Sequence, residues 1–362
     1  MRMQKNRILV INPGSTSTKI ALFRGDEDGV EDVFTRTIEH HQQELEKFET
    51  VTDQSDLRLN YITEFMESTD VELSSLAAVV GRGGLLKPIT GGTYRVNDKM
   101  LEDLEKGLQG EHASNLGGLL AYSLARKAEA ESFIVDPVVV DEMEPVAKIS
   151  GLPELERRSI FHALNQKAVA RKYAQSQNKS YDEITVIVVH LGGGISVGLH
   201  HEGSVIDVNN ALSGEGPFSP NRAGTLPALD LAMYCYEDDV DYSQLKRKLL
   251  KEGGVAGYLG TNDMREVEKR AEEDDEARLV FRAMTYQVAK EIGSLAPAAP
   301  ERPEAVLLTG GIAHSEQFVD SVSDRVEFIA PVHTYPGEEE LAALASGANR
   351  VLTGQEEAKI YE

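Results

Sequence analysis

One pattern occurs twice in this chain, and no other feature restricts the possible folds as strongly. An apolar, β-branched run, Arg7 to Asn12, is followed by a Pro-Gly turn and four serine and threonine residues, after which a second apolar run, Lys19 to Phe23, begins. The same arrangement returns 178 residues later at Thr185 to His190 and Ile195 to Leu199, with three glycines in the loop. Each copy predicts a strand, a tight loop and a second strand. Because this repeat is far longer than a solenoid period, we expect two related lobes that each open with this unit.

Apolar spacing in the remaining sequence predicts strands that alternate with helices. Strands are predicted at Ala77 to Gly81, Ser132 to Val140 and Ala305 to Thr309, and helices at Asn115 to Glu129, His162 to Gln177, Ala277 to Leu295 and from Glu338 onward. This alternation is typical of the α/β class. The length of 362 residues fits two domains of about 100–200 residues each.

The charge balance excludes several classes of partner. The chain carries 37 Lys and Arg against 60 Asp and Glu, a formal net charge of -23 that repels nucleic-acid backbones and anionic lipid headgroups. This charge argues against nucleic acid as a partner. We also expect no membrane partner, since no apolar run approaches the ~18–20 residues of a membrane span. The single Cys235 and the polar N-terminus predict a reducing, cytoplasmic location. Surface positions are expected for the acidic runs Glu272 to Glu276 and Asp238-Asp239 and for the pairs His40-His41 and His200-His201.

Three glycine-rich turns lie at the ends of predicted strands: Pro13-Gly14-Ser15, Gly192-Gly193-Gly194 and Gly310-Gly311. Such turns let backbone N–H groups approach phosphate oxygens without interference from Cβ. The first turn adds hydroxyls and Lys19, which favours a nucleoside triphosphate. Neither the Walker A spacing nor G-x-G-x-x-G occurs, so both standard nucleotide folds are disfavoured. The alternative is that these are only tight turns of a sheet protein.

The segment Asn12 to Lys19 resembles the first signature of the acetate/butyrate kinase family. The resemblance continues in chain order over nearly the whole sequence, through Arg82, His112, Asp136, Phe161-His162, His190 to Gly194, Arg222, Asp263 to Arg265, Gly310 to Ile312 and Glu339 to Leu341. Gly81 to Leu86 and Gly214 to Phe218 are more similar to the butyrate kinase branch than to the acetate branch.

This family implies a duplicated actin-like α/β fold, shared with sugar kinases and heat-shock chaperone ATPase domains, with the active site in a cleft between two lobes. In this sequence the N-terminal lobe would comprise residues 1–150 with 338–362 and would hold the acyl-substrate elements and the C-terminal helix. The nucleotide-binding lobe would comprise residues 151–337. The repeat, found independently of the family, agrees with this duplication.

The activity implied by the resemblance is reversible transfer of the γ-phosphoryl group of ATP to a carboxylate, which gives an acyl phosphate and ADP. A carboxylate titrates near ~4, so it is already ionised at neutral pH and needs no general base. Catalysis then rests on alignment and charge neutralisation, because two unit charges 4 Å apart repel by about 4 kcal/mol at an effective dielectric of 20. Arg82 and Arg222 match the family arginines that contact the substrate carboxylate and the transferring phosphoryl group. The alternative for each is a surface role.

Further site residues follow from the resemblance. His162, at the predicted start of a helix, matches a histidine that donates to the phosphoryl group, with a structural hydrogen bond as its alternative role. Asp136 is expected to orient a water on Mg2+ rather than to act as a base, although action on the substrate stays open. The substrate-binding set is Arg82, Gly84, Phe161 and His112; the ATP/ADP-binding set is Ser15, Ser17, Lys19, His190, Gly192, Gly193, Gly194, Asp263, Arg265, Gly310 and Gly311; and the Mg2+ set is Asn12 and Glu339. A charge at a helix N-terminus is the alternative role of Glu339.

The acyl chain is predicted from a difference between branches. Acetate kinases carry a pair of valines where this chain has Gly83 and Gly84, so we expect room for further methylenes beside Gly84, with Phe161 as the opposing apolar wall. The alternative is a turn whose glycines have positive φ. We therefore expect a butyrate kinase, with a branched short-chain or acetate kinase as the alternative and an ATP-binding regulator of the same fold as the third. The partners expected are a short-chain carboxylate or acyl phosphate and a second copy of the chain, in a homo-oligomer of at least two; the number of chains and the physiological direction stay open.

Overall fold

The computed structural model describes residues 6–212, 214–237 and 240–362, so the first five residues and the predicted acidic pair Asp238-Asp239 lie outside the described residues. The chain divides into two compact units. Unit 1 comprises Met1–Val140 and Glu339–Glu362, and unit 2 comprises Asp141–Glu338. The predicted lobes differ from these units in residues 141–150 and in Glu338.

The strands contribute to one sheet in each unit. In chain order they are β1 Arg7–Pro13, β2 Ser17–Asp26, β3 Gly29–Glu39, β4 Leu76–Arg82, β5 Thr93–Arg95, β6 Glu131–Val135, β7 Thr185–Leu191, β8 Ile195–His201, β9 Ser204–Val208, β10 Ala305–Gly310, β11 Val332–Pro336 and β12 Lys359–Ile360.

The α-helices connect and cover these strands. They are α1 Gln42–Leu45, α2 Ser55–Glu67, α3 Asp98–Lys106, α4 Asn115–Ala128, α5 Pro145–Lys148, α6 Ala163–Ser176, α7 Ala228–Glu237, α8 Tyr242–Leu250, α9 Gly254–Leu259, α10 Met264–Arg270, α11 Asp275–Leu295, α12 Glu316–Val326 and α13 Glu340–Leu352. Short 3-10 turns occupy Thr52–Gln54, Leu73–Ser75, Tyr181–Glu183, Ala296–Ala298 and Gly311–His314.

The two sheets repeat one topology. The strand order is β12-β5-β6-β4-β1-β2-β3 in unit 1 and β11-β10-β7-β8-β9 in unit 2. In unit 1, β1, β2 and β3 are antiparallel neighbours, whereas β1, β4 and β6 are parallel. In unit 2, β7, β8 and β9 are antiparallel, and β7, β10 and β11 are parallel. Five strands of unit 1 therefore have a counterpart of the same order and direction in unit 2, which confirms the predicted duplication.

The central strands are covered on both faces. The residues of β1 and β7 are almost all buried, which is the pattern of strands packed from two sides. In unit 1, α4 and α13 pack on β1, β4 and β6; in unit 2, α6 packs on β7 and β10, and α11 packs on β7 and β8. Because helices cover both faces of the central strands, polar functional side chains are expected at the ends of these strands.

Two predicted boundaries are wrong. The strand predicted over Ser132 to Val140 ends at Val135, because Asp136 has a φ of 38° and Pro137 has no N–H to donate to a neighbouring strand. The helix predicted from Glu338 begins at Glu340. In the described part of the chain, no helix combines the length and apolar character that crossing a membrane requires.

Two histidines predicted at the surface are buried. His40 is buried against Thr18, with its Nε2 2.8 Å from the threonine hydroxyl. His200 lies between Tyr181 and Gln166, whose polar atoms are 2.8 and 3.0 Å from its ring nitrogens. Each prediction failed because a side chain distant in sequence, Thr18 for His40 and Gln166 for His200, forms a hydrogen bond with the buried ring.

Candidate active site

Three predicted site residues of unit 1 lie at one edge of its sheet. Because β1, β4 and β6 are parallel, their carboxyl ends share an edge, which is where open α/β sheets bind ligands. Asn12 is the penultimate residue of β1, Arg82 ends β4, and Asp136 follows β6. The topology thus brings to one edge residues that are 54 to 124 positions apart in the sequence.

A carboxylate that sequence reasoning did not select completes this group. Glu340, the first residue of α13, accepts hydrogen bonds from the two terminal nitrogens of Arg82 at 3.0 and 3.2 Å. It also accepts from Nδ2 of Asn12 at 2.8 Å, and Nη1 of Arg82 lies 3.4 Å from Oδ1 of Asn12. The structure therefore places Glu340, rather than the predicted Glu339, against Asn12.

Asp136 is held in an uncommon backbone conformation. Its φ is 38° and it is buried. Its Oδ1 accepts the N–H of Gly92 at 2.6 Å, and its own N–H donates to the Gly92 carbonyl at 3.1 Å. A left-handed residue other than glycine costs on the order of 1–3 kcal/mol and persists where its surroundings enforce it, often at functional sites. Its role toward water or substrate stays a prediction.

His112 is a neutral side chain near Arg82. Its Nδ1 accepts the backbone N–H of Ser114 at 3.2 Å, so the proton of the neutral ring is on Nε2. Burial, followed by the charge of Arg82, lowers the pKa of His112. At neutral pH the ring can therefore donate one hydrogen bond from Nε2, as a substrate-binding role requires.

The space beside Gly83 and Gly84 is filled by the protein. A Cβ on Gly84 would lie 2.5 Å from Oδ1 of Asn115, and one on Gly83 would lie 2.6 Å from Cβ of Pro137. Neither glycine has a positive φ. Both expectations for this pair are therefore wrong, since close packing by α4 and by Pro137, rather than acyl room or turn geometry, requires glycine. A substrate contact by Gly84 stays a prediction that concerns its backbone.

The first glycine turn connects β1 to β2. The N–H of Gly14 donates to the carbonyl of Ser17 at 2.7 Å, which closes the turn. Ser15 and Lys19 are exposed and Ser17 is partly exposed. Their hydroxyls and ammonium are thus accessible to an anion, and their predicted contact with nucleotide phosphates stays a prediction.

Unit 2 carries its glycine turns at the equivalent edge. β7, β10 and β11 are parallel, so Gly192 to Gly194, Gly311 and Gly337 follow strands that end together. Gly310 has a φ of 91°, and a Cβ there would lie 2.3 Å from the carbonyl oxygen of Leu191. Only glycine fits this approach, and the second and third predicted turns consequently meet at one edge.

Two predicted histidines stack on each other in unit 2. The ring centroids of His162 and His190 are 3.7 Å apart, with an angle of 12° between planes. His190 is buried, its Nδ1 is 2.8 Å from Oδ1 of Asn165, and its Nε2 is 3.1 Å from Oε1 of Glu338. His162 occupies the position before α6. Both nitrogens of His190 have protein partners, so it is suited to supporting its neighbours.

A buried hydrogen-bond chain leads to the ring of His162. Nε2 of Gln166 donates to the carbonyl and hydroxyl oxygens of Ser196 at 3.0 and 2.8 Å, and its Oε1 accepts from His200 at 3.0 Å. Since a carbonyl only accepts, the amide nitrogen of Gln166 must face Ser196. The Ser196 hydroxyl, which accepts from Gln166, lies 2.9 Å from Nδ1 of His162. The imidazole of His162 is thus held in place through its Nδ1.

Arg222 is a half-buried cation, and among the described residues no carboxylate lies within 4.0 Å of its guanidinium. Its Nη1 donates to the carbonyl of Ala211 at 2.6 Å. Burial lowers the pKa of Arg222, yet a guanidinium keeps its proton at neutral pH. The guanidinium lies over Gly194, where a Cβ would be 2.1 Å from Nη1. Such a group has charge available for an anion.

Gly194→Ala is expected to lower kcat/KM by about 10–100-fold, because the methyl group displaces the Arg222 guanidinium and misplacements of about 1 Å have effects of this size. Steady-state kinetics with both substrates measure the loss. Gly293→Ala in α11, where nothing lies within 4 Å of the added Cβ, is the matched control. Wild-type turnover in a folded Gly194→Ala protein would contradict a role for the Arg222 position.

The surroundings of Asp263, Arg265 and Phe161 do not by themselves indicate a ligand. Asp263 caps α10, accepting the N–H of Arg265 at 3.0 Å and pairing with its guanidinium at 2.8 Å. The Arg265 side chain is 91% exposed. Phe161, beside His162, is buried. Contact of the first two with adenosine and of Phe161 with the acyl chain stay predictions.

Sequence reasoning missed Glu340, Ser196 and Gln166. Gln166 follows His162 by four residues, a helical spacing that places two side chains on one face and could have revealed it. Ser196 and Glu340 become visible only through the sheet. Among residues that the structure describes, no cluster of three or more His, Cys, Asp or Glu side chains is arranged to hold a metal ion.

Comparison with known proteins decides the family. Residues 153–358 match the acetokinase family model. Butyrate kinase 1 of Clostridium acetobutylicum is 51% identical to this chain over 357 residues, which are 98% of this chain and 99% of that protein. The chain belongs to the acetokinase family. The predicted resemblance to this family, and within it to butyrate kinases, is confirmed.

Solved structures of low identity support the fold of this acetokinase. Porphyromonas gingivalis acetate kinase superposes with a TM-score of 0.78 at 18% identity, covering 96% of this chain and 100% of that one. The ROK hexokinase of Thermus thermophilus superposes with a TM-score of 0.51 at 12% identity, covering 96% and 99%. The predicted actin-like fold, shared with sugar kinases, is confirmed.

Proposed function

We propose that this acetokinase is a butyrate kinase, which transfers the γ-phosphoryl group of ATP reversibly to butyrate and gives butyryl phosphate and ADP. The identity of 51% with Butyrate kinase 1 across 98% of the chain carries the proposal. A branched short-chain or acetate kinase is the alternative. Because the space beside Gly84 is filled, the acyl preference rests on this likeness rather than on a pocket argument.

The arginines at the two sheet edges suit a reaction between two anions. Butyrate is ionised at neutral pH, so the protein must offset repulsion rather than remove a proton. Arg222 is a half-buried guanidinium with no carboxylate partner in the described ranges, and Arg82 presents a planar fork that is 28% exposed. We assign Arg222 and Arg82 to contact with the substrate carboxylate and the transferring phosphoryl group, the roles predicted from the sequence.

His162 contributes a hydrogen-bond donor without needing to be charged. Its Nδ1 lies 2.9 Å from the Ser196 hydroxyl, and with that hydroxyl as the donor a neutral ring carries its proton on Nε2. The start of α6 adds a favourable dipole for negative charge. We infer that Nε2 donates to the phosphoryl oxygens as charge develops on them, which is the role predicted for this residue.

The residues at the unit 1 edge fit a Mg2+ ion bound mainly by nucleotide phosphates. Mg2+ takes oxygen ligands, keeps several waters and uses one or two protein carboxylates. The Glu340 carboxylate and Oδ1 of Asn12 lie together beside Arg82, and their remaining lone pairs are the oxygen donors that would face such an ion. When bound there, the ion would neutralise phosphate charge. Glu339, which is exposed and adjacent, is the ligand that the sequence predicted.

Glu340→Gln is expected to raise the Mg2+ concentration for half-maximal activity by about tenfold or more, and Glu339→Gln by less, because Glu340 is the carboxylate in contact with Asn12. Titration of activity with Mg2+ measures the shift, and Glu357→Gln, at an exposed position near the C-terminus, is the control. Equal shifts from the Glu339 and Glu340 variants would mean that both act only through the helix terminus.

Formation of acyl hydroxamate with ATP across acetate, propionate, butyrate, isobutyrate and benzoate tests the proposed function. We expect the highest kcat/KM with butyrate. Preference for isobutyrate or acetate would replace the butyrate assignment with the alternative, and absence of ATP-dependent product with every acid would favour a regulator. Light scattering tests the proposed homo-oligomer, for which exposed apolar side chains on α7, Leu229 and Tyr236 among them, offer a surface.

A further inference from the structure

A buried arginine lies directly against the first glycine turn. Arg58, on α2, is 0% exposed. Its guanidinium donates to the carbonyl oxygens of Gly14 at 2.8 Å, Ser15 at 3.0 Å and Ser17 at 3.2 Å. The residue is about forty positions away in sequence, yet it holds three of the carbonyls of this turn.

The charge of Arg58 is not offset by a neighbouring acid. Its other acceptors are the hydroxyl of Thr18 at 3.2 Å and Oε1 of Gln54, at 2.8 and 3.2 Å. Within the described ranges, no carboxylate lies inside the 4.0 Å limit of an ion pair with it, whereas buried charges are ordinarily paired. Burial lowers the pKa of Arg58 to about 10, so it is protonated at neutral pH.

The adjacent histidine, His40, does not add a second positive charge. Burial, with a further contribution from Arg58, lowers the pKa of His40 to about 4. At neutral pH His40 is therefore uncharged. Its backbone N–H donates to the carbonyl of Thr16 at 2.9 Å.

All four carbonyls from Gly14 to Ser17 are thus bonded to the protein interior or within the turn. The N–H of a peptide points away from its C=O, so the N–H groups of Ser15 and Thr16 face away from Arg58. In the part of the chain that is described, neither of these N–H groups donates a hydrogen bond. Free N–H groups in front and a positive charge behind favour an anion at the turn.

We propose that Arg58 is a positioning residue that orients the turn from Gly14 to Ser17 and supplies positive charge to it for the phosphate groups of the nucleotide. This inference rests on the proposed kinase function. Arg58 acts through the turn and does not itself touch the phosphates, because its donors are all used on the protein.

The Gln54→Glu variant tests the charge of Arg58 while leaving its two hydrogen bonds to residue 54 in place. Glutamate keeps an oxygen where Gln54 accepts both bonds of Arg58, but it gives the guanidinium an anionic partner. We expect the Gln54→Glu protein to fold with an unchanged or higher Tm. Its Kd for ATP should rise roughly tenfold, because the added carboxylate repels the phosphates with the energy of two unit charges about 10 Å apart at a dielectric of ~20. The KM for the carboxylic acid should change by less than twofold.

Asn60→Asp is the matched control, since it adds the same charge at an exposed position of the same helix. Its Kd for ATP should remain that of the wild type. Arg58→Lys, which keeps the charge and loses the fork, should weaken ATP binding less than Arg58→Met. If Arg58→Met fails to fold, the Gln54→Glu and Arg58→Lys results still decide.

Titration with inorganic tripolyphosphate alongside ATP keeps this inference distinct from the kinase assignment. Weaker tripolyphosphate binding by Gln54→Glu in a protein that forms no acyl phosphate would support the role of Arg58 and reject the kinase function. A purely structural Arg58 predicts wild-type Kd values in Gln54→Glu, which would overturn the inference while leaving the kinase function standing. A wild-type protein that binds neither probe would overturn both.

Discussion

Arg222→Ala is expected to lower kcat/KM by roughly 10²–10³-fold, the loss found when one donor to a developing anion is removed. Arg222 is a half-buried cation whose guanidinium donates to a neutral carbonyl, that of Ala211. Its removal breaks no ion pair in the described structure, so the protein should remain folded. Steady-state kinetics in both directions, with Tm from calorimetry, measure the two effects separately.

Free guanidinium added to Arg222→Ala should recover part of the activity, because the space left by the side chain accepts the missing group. Arg302→Ala, at an exposed position of the same unit that donates to the Ile329 carbonyl, is the control and should behave as the wild type. Full activity in a folded Arg222→Ala protein would remove the assignment of this residue to the phosphoryl group.

Arg82→Ala should also lower kcat/KM by about 10²–10³-fold, and it should cost stability as well. Its two bonds to Glu340 hold a largely buried carboxylate, which the substitution leaves without this cation. We therefore expect a lower Tm together with the kinetic loss. Arg95→Ala, which breaks the exposed pair with Glu131, should change neither.

The double variant Arg82→Ala/Glu340→Gln distinguishes the two effects. Neutralising Glu340 removes the unpaired charge, so Tm should return toward the wild type, whereas turnover should stay low. Recovery of turnover with Tm would show that Arg82 acts only by supporting Glu340.

Features with a local sequence signal were predictable. The apolar runs of β1 and β7, each ending at a glycine turn, identified the duplication, and the helix α6 begins directly after His162 as its spacing indicated. The site residues at strand ends follow from the same logic, since parallel strands end at one edge.

Features that depend on tertiary contacts were not predictable. Nothing near Arg58 in the sequence indicates that it reaches Gly14, and nothing near His200 indicates burial beside Gln166. The choice between Glu339 and Glu340 turns on one residue at the start of a helix, where patterns are least exact. The acyl pocket predicted beside Gly84 was wrong because the lack of a side chain does not imply free space, and Asn115 fills the space there.

Unit 1 is assembled from both ends of the chain, and this has a consequence during synthesis. α13 packs on β1, β4 and β6 through buried residues such as Leu344 and brings Glu340 to Arg82. Unit 2 is contiguous, so all of it leaves the ribosome before α13 does, and domains fold as they emerge. Residues 1–140 therefore cannot complete the packing of unit 1 until residues 339–362 have been synthesised. A nascent chain therefore acquires the Glu340 carboxylate of its unit 1 edge only after all of unit 2 has been synthesised.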